Sequence, residues 1–255
     1  ISARLSYIEP LGKNFFVEGT YRYNYKKTDS DKETYSRDAA GNYNILDERY
    51  TTNYDNTFVT QQAELNFMKQ EEKYNITIGA SMQPSYTKSV GEGRDTSYTV
   101  TNFSPAARID YRFSDDKFLR VRYRGRTSQP SINQLMPVND NSDPLKQTVG
   151  NPNLDPEFTH SLSTEYRSNN RRNFSFFSAS ADFSFTQNDI VAKKYYTEEG
   201  VQISTYENAD KNVYSASGRI MVNTPIAKSN FSVNSFTMVR YNNSYSYVRD
   251  AGDWT

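Results

Sequence analysis

Along much of this chain apolar and polar side chains alternate one for one. In 15–25, Phe15, Val17, Gly19, Tyr21, Tyr23 and Tyr25 alternate with Glu18, Thr20, Arg22 and Asn24. In 74–83, Tyr74, Ile76, Ile78, Ala80 and Met82 share one face, and Asn75, Thr77, Gly79, Ser81 and Gln83 the other. In 105–113, Pro105, Ala107, Ile109, Tyr111 and Phe113 alternate with Ala106, Arg108, Asp110 and Arg112. In 118–127, Leu119, Val121, Tyr123 and Gly125 alternate with Arg120, Arg122, Arg124 and Arg126. A helix, with its period of 3.6, would scatter these faces, whereas a strand keeps them apart. The pattern predicts ten strands, at roughly 2–9, 15–26, 54–68, 74–88, 100–113, 118–128, 158–168, 174–187, 212–223 and 230–241. The alternation is blurred in 54–68 and in 230–241.

The links between these strands alternate in length. Short ones are Pro10–Asn14, Lys69–Lys73, Ser114–Lys117, Asn169–Asn173 and Thr224–Ser229. The intervening ones, 27–53, 89–99, 129–157 and 188–211, are long. Outer-membrane barrels have short periplasmic turns and long external loops, and a soluble β-sandwich has no reason to follow that rule. The stretch 188–211 is itself expected to extend the strands beyond the membrane and to turn at Glu199–Gly200.

Composition sharpens this reading. Leu, Ile, Val and Phe make 49 of 255 residues, just under the roughly 20% below which highly charged chains are disordered. Here 30 Lys and Arg balance 30 Asp and Glu, and 21 Tyr with 15 Phe are too many aromatics for a disordered chain. A transmembrane barrel reconciles these facts, because only every second strand residue must be apolar and Tyr suits the two membrane interfaces. A mean hydropathy of -0.86 is therefore compatible with a membrane protein. No apolar run approaches the roughly 18 residues of a membrane helix. Absence of Cys excludes disulfides and thiolate metal sites, and zero net charge removes any general reason to expect nucleic acid.

The predicted fold is all-β: an antiparallel up-and-down transmembrane β-barrel, with 1–255 forming part of the barrel domain. The first strand is expected to run from outside to the periplasm, and the last to run outward into Asn242–Thr255. Ten strands left open would expose two unpaired edges to lipid, so further strands outside this sequence are expected to complete the wall. The chain begins at Ile1 without a signal peptide, as expected of a mature or truncated product.

The stretch 127–157 contains Gly150-Asn151-Pro152-Asn153-Leu154-Asp155-Pro156-Glu157, preceded by Arg126, Pro130 and Leu135 and followed by His160, Leu162 and Tyr166. It resembles a signature of TonB-dependent receptors, within the outer-membrane β-barrel family. The hairpin 1–25, with its Pro-Leu-Gly-Lys-Asn turn, is similar too. The resemblance implies a 22-stranded barrel in the bacterial outer membrane, an amino-terminal plug not contained in this chain, and TonB as the energy-coupling partner. It further implies nutrient import (a siderophore, glycan or peptide), with a surface lipoprotein as an additional partner. The rival expectations are a structural or secretion barrel and a passive porin. Read physically, Pro152 and Pro156 fix φ and extend the residues before them, and Gly150 permits a turn, so 150–157 is expected to be a stiff re-entry from a loop into a strand.

Arg108, Arg112, Arg120, Arg122, Arg124 and Arg126 are expected on one lumenal face, with Asp110 among them. Like charges adjacent across strands are costly, so an anionic partner is expected. Glu165 on the next strand is one candidate, a plug or an anionic substrate another. His160 is the only His and lies near no Gly-x-Ser-x-Gly element, so an interfacial role is expected and catalysis is not. Asp140, Asn141 and Asp143, and the Asp29–Asp31 pair, lack the spacing of a calcium loop and are expected to be solvated. Tyr195-Tyr196 and Tyr241–Tyr247 are expected in an aromatic girdle or loop core, with ligand stacking as the alternative. No enzyme activity, metal or cofactor is expected.

Overall fold

In the computed structural model the described residues are 1–33, 35–38, 40–46, 52–91, 94–135, 146–197, 200–226, 229–248 and 251–254. They form β1 (Ser2–Gly12), β2 (Phe15–Lys32), β3 (Tyr35–Arg37), β4 (Tyr43–Leu46), β5 (Thr52–Gln70), β6 (Tyr74–Gly91), β7 (Arg94–Ser114) and β8 (Lys117–Ser128). One helical turn, α1 (Ile132–Leu135), precedes β9 (Lys146–Thr148), β10 (Glu157–Asn170), β11 (Ser175–Gln187), β12 (Ile190–Tyr196) and β13 (Gln202–Asn208). The chain continues through β14 (Val213–Pro225), β15 (Ser232–Asn242), β16 (Tyr245–Val248) and β17 (Ala251–Trp254).

Ten strands hydrogen-bond in one sheet in the order β1-β2-β5-β6-β7-β8-β10-β11-β14-β15. These are the ten strands that the alternation predicts, including the two blurred ones. The order never crosses over, so the sheet is an up-and-down meander. One expected link is corrected: β6 and β7 run on to Gly91 and from Arg94, so 89–99 is mostly strand and not a long loop. β6 and β7 have 18 and 21 residues, against about 9–11 for a tilted strand that crosses a bilayer.

The chain divides into two compact units, the first being Ile1–Glu9, Glu18–Leu65 and Ser81–Asn102. In it Ile1 and Tyr25 exchange backbone hydrogen bonds, and Ser6 Oγ lies 2.9 Å from Oγ1 of the buried Thr20. Arg22 donates to Gln62 at 3.0 Å and faces Glu64 at 3.9 Å. The β3–β4 hairpin turns around Asp38, whose carboxylate accepts the Ala40 and Asn42 N–H groups and the Asn44 amide. These bonds hold the Asp38 carboxyl below its ordinary range, the Asn42 backbone bond contributing most.

The second unit is Pro10–Val17, Asn66–Ala80 and Phe103–Thr255. Its turns are tight, and Gly12 and Asn14 at one of them take positive φ, which suits residues with no or a short polar side chain. From β7 to β15, Asp110 faces Arg120, Arg120 faces Glu165, Thr164 faces Ala181, Ala181 faces Gly218 and Gly218 faces Val239, and the β7–β8 register shifts only between Arg112 and Ser114, next to the turn. Because strand periodicity is two, this register places most apolar positions of β7, β8, β10 and β11 on one face, with Ala106, Phe118 and Phe176 on the other.

That apolar face has no protein packed over it. Leu162, Phe183, Val239 and Tyr241 are exposed, Val239 at 67%. Two sets of rings flank its middle. Toward the turns, Tyr111, Phe113, Tyr166 and Phe177 form a chain of centroid distances 4.7, 6.2 and 6.0 Å. Toward the loops, Phe158, His160, Phe185 and Tyr214 are linked at 4.7, 5.6 and 5.3 Å. Between the two sets lie Leu162, Thr164, Ala179, Ala181 and Gly218. An apolar band between aromatic girdles is the outer surface of a membrane barrel.

The buried apolar residues are elsewhere. Leu154, Val191, Ile203 and Ala209 belong to the long links, and Tyr245 to the segment after β15. There a five-stranded sheet forms in the order β17-β16-β12-β13-β9. The stretch 188–211 is a hairpin, with Gly200 at φ +82° in its turn. It is not an extension of β11 and β14: the chain breaks at Asn188, at φ +54°, and β12 and β13 join a separate sheet.

Candidate functional site

β8 carries four arginines at alternate positions, and the two neighbouring strands decide what each one meets. Arg120 lies between two acids. Its Nε is 2.5 Å from Asp110 Oδ1 on β7, and its Nη1 is 3.7 Å from Glu165 Oε2 on β10. Arg108 reaches the other Asp110 oxygen at 2.5 Å, and Arg167 reaches Glu165 Oε1 at 2.6 Å. Three cations thus enclose two anions in one chain, Arg108–Asp110–Arg120–Glu165–Arg167. Asp110, Arg120 and Glu165 are all less than a third exposed, so water screens them less than it would a surface pair.

The rest of the ladder differs. Arg122 sits opposite Arg108 on one side and Ser163 on the other; Arg124 lies between Ala106 and Ser161; Arg126 lies opposite Thr159. All three are exposed, and among the described residues none has an ion pair or side-chain hydrogen bond. Arg112 lines a pocket of about 260 Å³ with Glu71, Lys73, Arg108, Asp110 and Arg120, where both signs of charge are present.

The Gly150–Glu157 segment joins the loop sheet to β10. Asn151 donates its side chain to the Tyr206 carbonyl at 3.0 Å and its N–H to the Gln134 carbonyl at 2.8 Å. Asn208 accepts the Asp155 N–H at 2.8 Å and donates to the carbonyls of Asp155 and Asn188 at 2.9 and 2.8 Å. Glu157 accepts the Ile190 N–H at 2.8 Å. Pro152 lies in a turn and Leu154 is buried. Pro156 immediately precedes Glu157, the first residue of β10, and its carbonyl faces the Asn188 amide at 3.5 Å. Gly150 is not among the glycines with positive φ, so the expected glycine turn is absent there. The clasp partners Asn188 and Asn208 escape a sequence reading, because their bonds span 20 to 53 residues and lack a local pattern.

His160 sits on the apolar face of β10, its Nδ1 2.9 Å from the Tyr123 hydroxyl and its ring against Phe158 at 4.7 Å. Gly125 leaves room for the same group: a Cβ there would lie 2.7 Å from Phe158 Cζ and 2.8 Å from Pro105 Cγ. Asp140, Asn141 and Asp143 lie outside the described residues, as does the Asp31 side chain, whereas Asp29 pairs with Lys27 at 3.2 Å. Tyr195 and Tyr196 end β12, Tyr196 at 70% exposure, while Tyr245 is buried with Val191 and Ala209 in the loop core. Tyr247 donates to Asp210 at 3.2 Å.

A meander with an unpacked apolar band between two aromatic girdles, and a polar opposite face, defines an outer-membrane β-barrel protein. The chain belongs to the outer membrane protein beta-barrel family, whose sequence profile matches residues 1–254, and its place is the bacterial outer membrane. No curated protein sequence matches it. Among solved structures it is similar to the copper transporter OprC, with TM-score 0.68 and 13% identity over 94% of this chain and 37% of that one. It is also similar to the Serratia marcescens hemophore receptor HasR, solved with its hemophore HasA and heme, with TM-score 0.65 and 11% identity over 96% of this chain and 41% of that one. At such identity the likeness is one of fold, and the chain spans about two fifths of either structure. The fold is that of the barrel walls of these two structures.

Proposed function

We propose that these strands are part of the wall of a TonB-dependent receptor that imports a nutrient across the outer membrane. The observation that carries this reading is the combination of barrel wall and folded external loops. β9, β12, β13, β16 and β17 form a sheet with its own buried core, and a plain pore wall does not need one. The two solved relatives are named as a transporter and a receptor, which supports the same class. On this reading the loop sheet contributes to ligand capture, the polar face lines the interior, and a plug carried elsewhere in the same protein responds to TonB. A surface lipoprotein is a further proposed partner.

The test is made on the native protein. Extracted from outer membrane and denatured, the chain should have a mass about two to three times 29.4 kDa, which leaves room for a plug and the remaining strands. Deleting its gene should abolish uptake of one nutrient class, in a manner that also requires TonB. Uptake that persists without TonB would indicate a passive porin. Unchanged uptake of every nutrient tested would favour a structural or secretion barrel.

A further inference from the structure

We infer that Arg122, Arg124 and Arg126 form an anion-binding ladder that takes a small solute carrying two or more carboxylate or phosphate groups. The inference rests on the import reading above and assigns it a substrate chemistry.

The ladder of β8 is divided by its neighbours. At the end near the 115–116 turn, Asp110 and Glu165 compensate Arg108, Arg120 and Arg167. At the end leading to the 129–157 link, the cross-strand neighbours are Ala106, Ser161, Ser163 and Thr159, with no acid among them. Two further acids share this face: Glu157, opposite Ser128 and diagonal to Arg126, whose carboxylate accepts the Ile190 N–H at 2.8 Å, and Asp182, opposite Ser163 and so two strands from Arg122, which faces the Ser217 hydroxyl at 3.5 Å. Two strand spacings are about 9–10 Å, close to the screening length at physiological salt, so Asp182 compensates Arg122 weakly.

A wall needs charge for solubility of its interior, but not three like charges in a row. Alternate strand residues stand about 6–7 Å apart, so the three guanidinium roots span about 13 Å. Arg122 also faces Arg108, and like charges opposite each other on neighbouring strands are unfavourable. An anion placed along the ladder relieves both repulsions at once. Guanidinium groups suit this role, since each offers a planar fork of N–H donors that matches a carboxylate or phosphate edge. The small neighbours leave space beside each fork, and Ser161, Ser163 and Thr159 add hydroxyls. Rings of basic side chains act in the same way in anion-selective pores.

The acceptor oxygens have two conceivable sources: a free solute, or Asp and Glu side chains from another segment of the same protein. The test uses the full-length protein, purified from outer membrane. Binding of tripolyphosphate and of citrate is measured at low salt, with neutral maltotriose for comparison, for the native protein and for Arg122→Gln/Arg124→Gln/Arg126→Gln. Arg172→Gln, on a turn, serves as a control of equal kind. The triple variant should bind tripolyphosphate about tenfold more weakly, with the control unchanged. If the native protein binds neither anion, Arg124→Lys is treated with a carbodiimide. A cross-link to an Asp or Glu then assigns the ladder to an internal acidic segment and overturns the solute assignment. Equal anion binding by native protein and triple variant, or no binding and no cross-link, also overturns it. Nutrient uptake separates this failure from that of the import reading. A deletion strain that loses uptake while the triple variant keeps it leaves import standing and removes the ladder.

Discussion

Asn208 and Asp155 are joined by two hydrogen bonds, the Asp155 N–H donating to Asn208 Oδ1 at 2.8 Å and Asn208 Nδ2 donating to the Asp155 carbonyl at 2.9 Å. The side-chain amide imitates a strand partner and pairs with a backbone that has no strand beside it. A third bond, to the Asn188 carbonyl, fixes the amide between the end of β11 and the start of β10. The family motif and the loop hairpin therefore share one clasp. Asn208→Ala removes three bonds and leaves backbone groups to find water, which should cost the loop region about 1–3 kcal/mol. Limited proteolysis of the membrane-embedded protein should then cut within 129–157 faster, while the barrel keeps its resistance to SDS. Equal cutting rates would show that the clasp adds nothing.

Gly125 is the second site where one atom matters. Its missing Cβ is replaced by the Phe158 ring and the Pro105 ring, each under 3.0 Å from where that carbon would be. The proline ring is tied to its backbone and cannot swing away. Gly125→Val should therefore cost about 1–3 kcal/mol by overpacking and lower the yield of heat-modifiable barrel. Adding Phe158→Ala should recover part of the loss, since Phe158 is the movable neighbour. A normal yield of Gly125→Val alone would contradict the contact.

In the ion chain, Asp110 and Glu165 are not equivalent. Asp110 accepts from Arg108 and Arg120 at 2.5 Å each, whereas Glu165 meets Arg120 only at 3.7 Å. A double-mutant cycle with Arg120→Gln should give a larger coupling for Asp110→Asn than for Glu165→Gln. The second coupling should fall below about 1 kcal/mol, because the pair is partly hydrated. Urea-induced unfolding in detergent or liposomes reads both. The reverse order would mean that the Arg120 side chain prefers β10.

These particulars show how far a sequence can be read. β8 announces itself, because Leu119, Val121 and Tyr123 alternate with arginines, and a period of two has one structural meaning. The same alternation puts Asp110 among the arginines and offers Glu165 on the next strand as a candidate partner, so both acids of the ion chain are legible, whereas their meeting at Arg120 is set by the register. The segment 89–99 misleads, because Gly91, Gly93 and Asp95 read as a loop although β6 and β7 reach Gly91 and begin at Arg94. The loop sheet is illegible for another reason. β9 pairs in parallel with β13 through Gln147 and Ile203, and β16 with β12 through Lys193 and Tyr247. Contacts so distant in sequence, over three-residue and two-residue registers, leave no local period to detect. Buried Tyr245 is a case in point: a Tyr-rich stretch suggests a girdle or a loop core, and only the pairing of β16 selects the core.

The loop sheet should also loosen at high pH, and the sign follows from Tyr247. Burial raises its phenol above the ordinary tyrosine value of 10.0, and hydrogen bonds with Tyr245 and Asp210 raise it further. In the unfolded loop the phenol loses its proton near 10, while in the folded loop it still holds it. Above that pH the folded state binds more protons than the unfolded one, so stability falls as pH rises and is unaffected below it. Tyr247→Phe keeps the ring beside Lys193 and Tyr245 but has no proton to lose. Proteolysis of the loops, measured from pH 8 to 11, should accelerate above about 10 in the native protein and less in Tyr247→Phe. An ultraviolet difference titration of the two proteins should show the missing tyrosine ionising later than the rest. If that tyrosine ionises with the exposed ones, the phenol is hydrated and the Tyr247–Asp210 contact is not formed in the membrane-embedded protein.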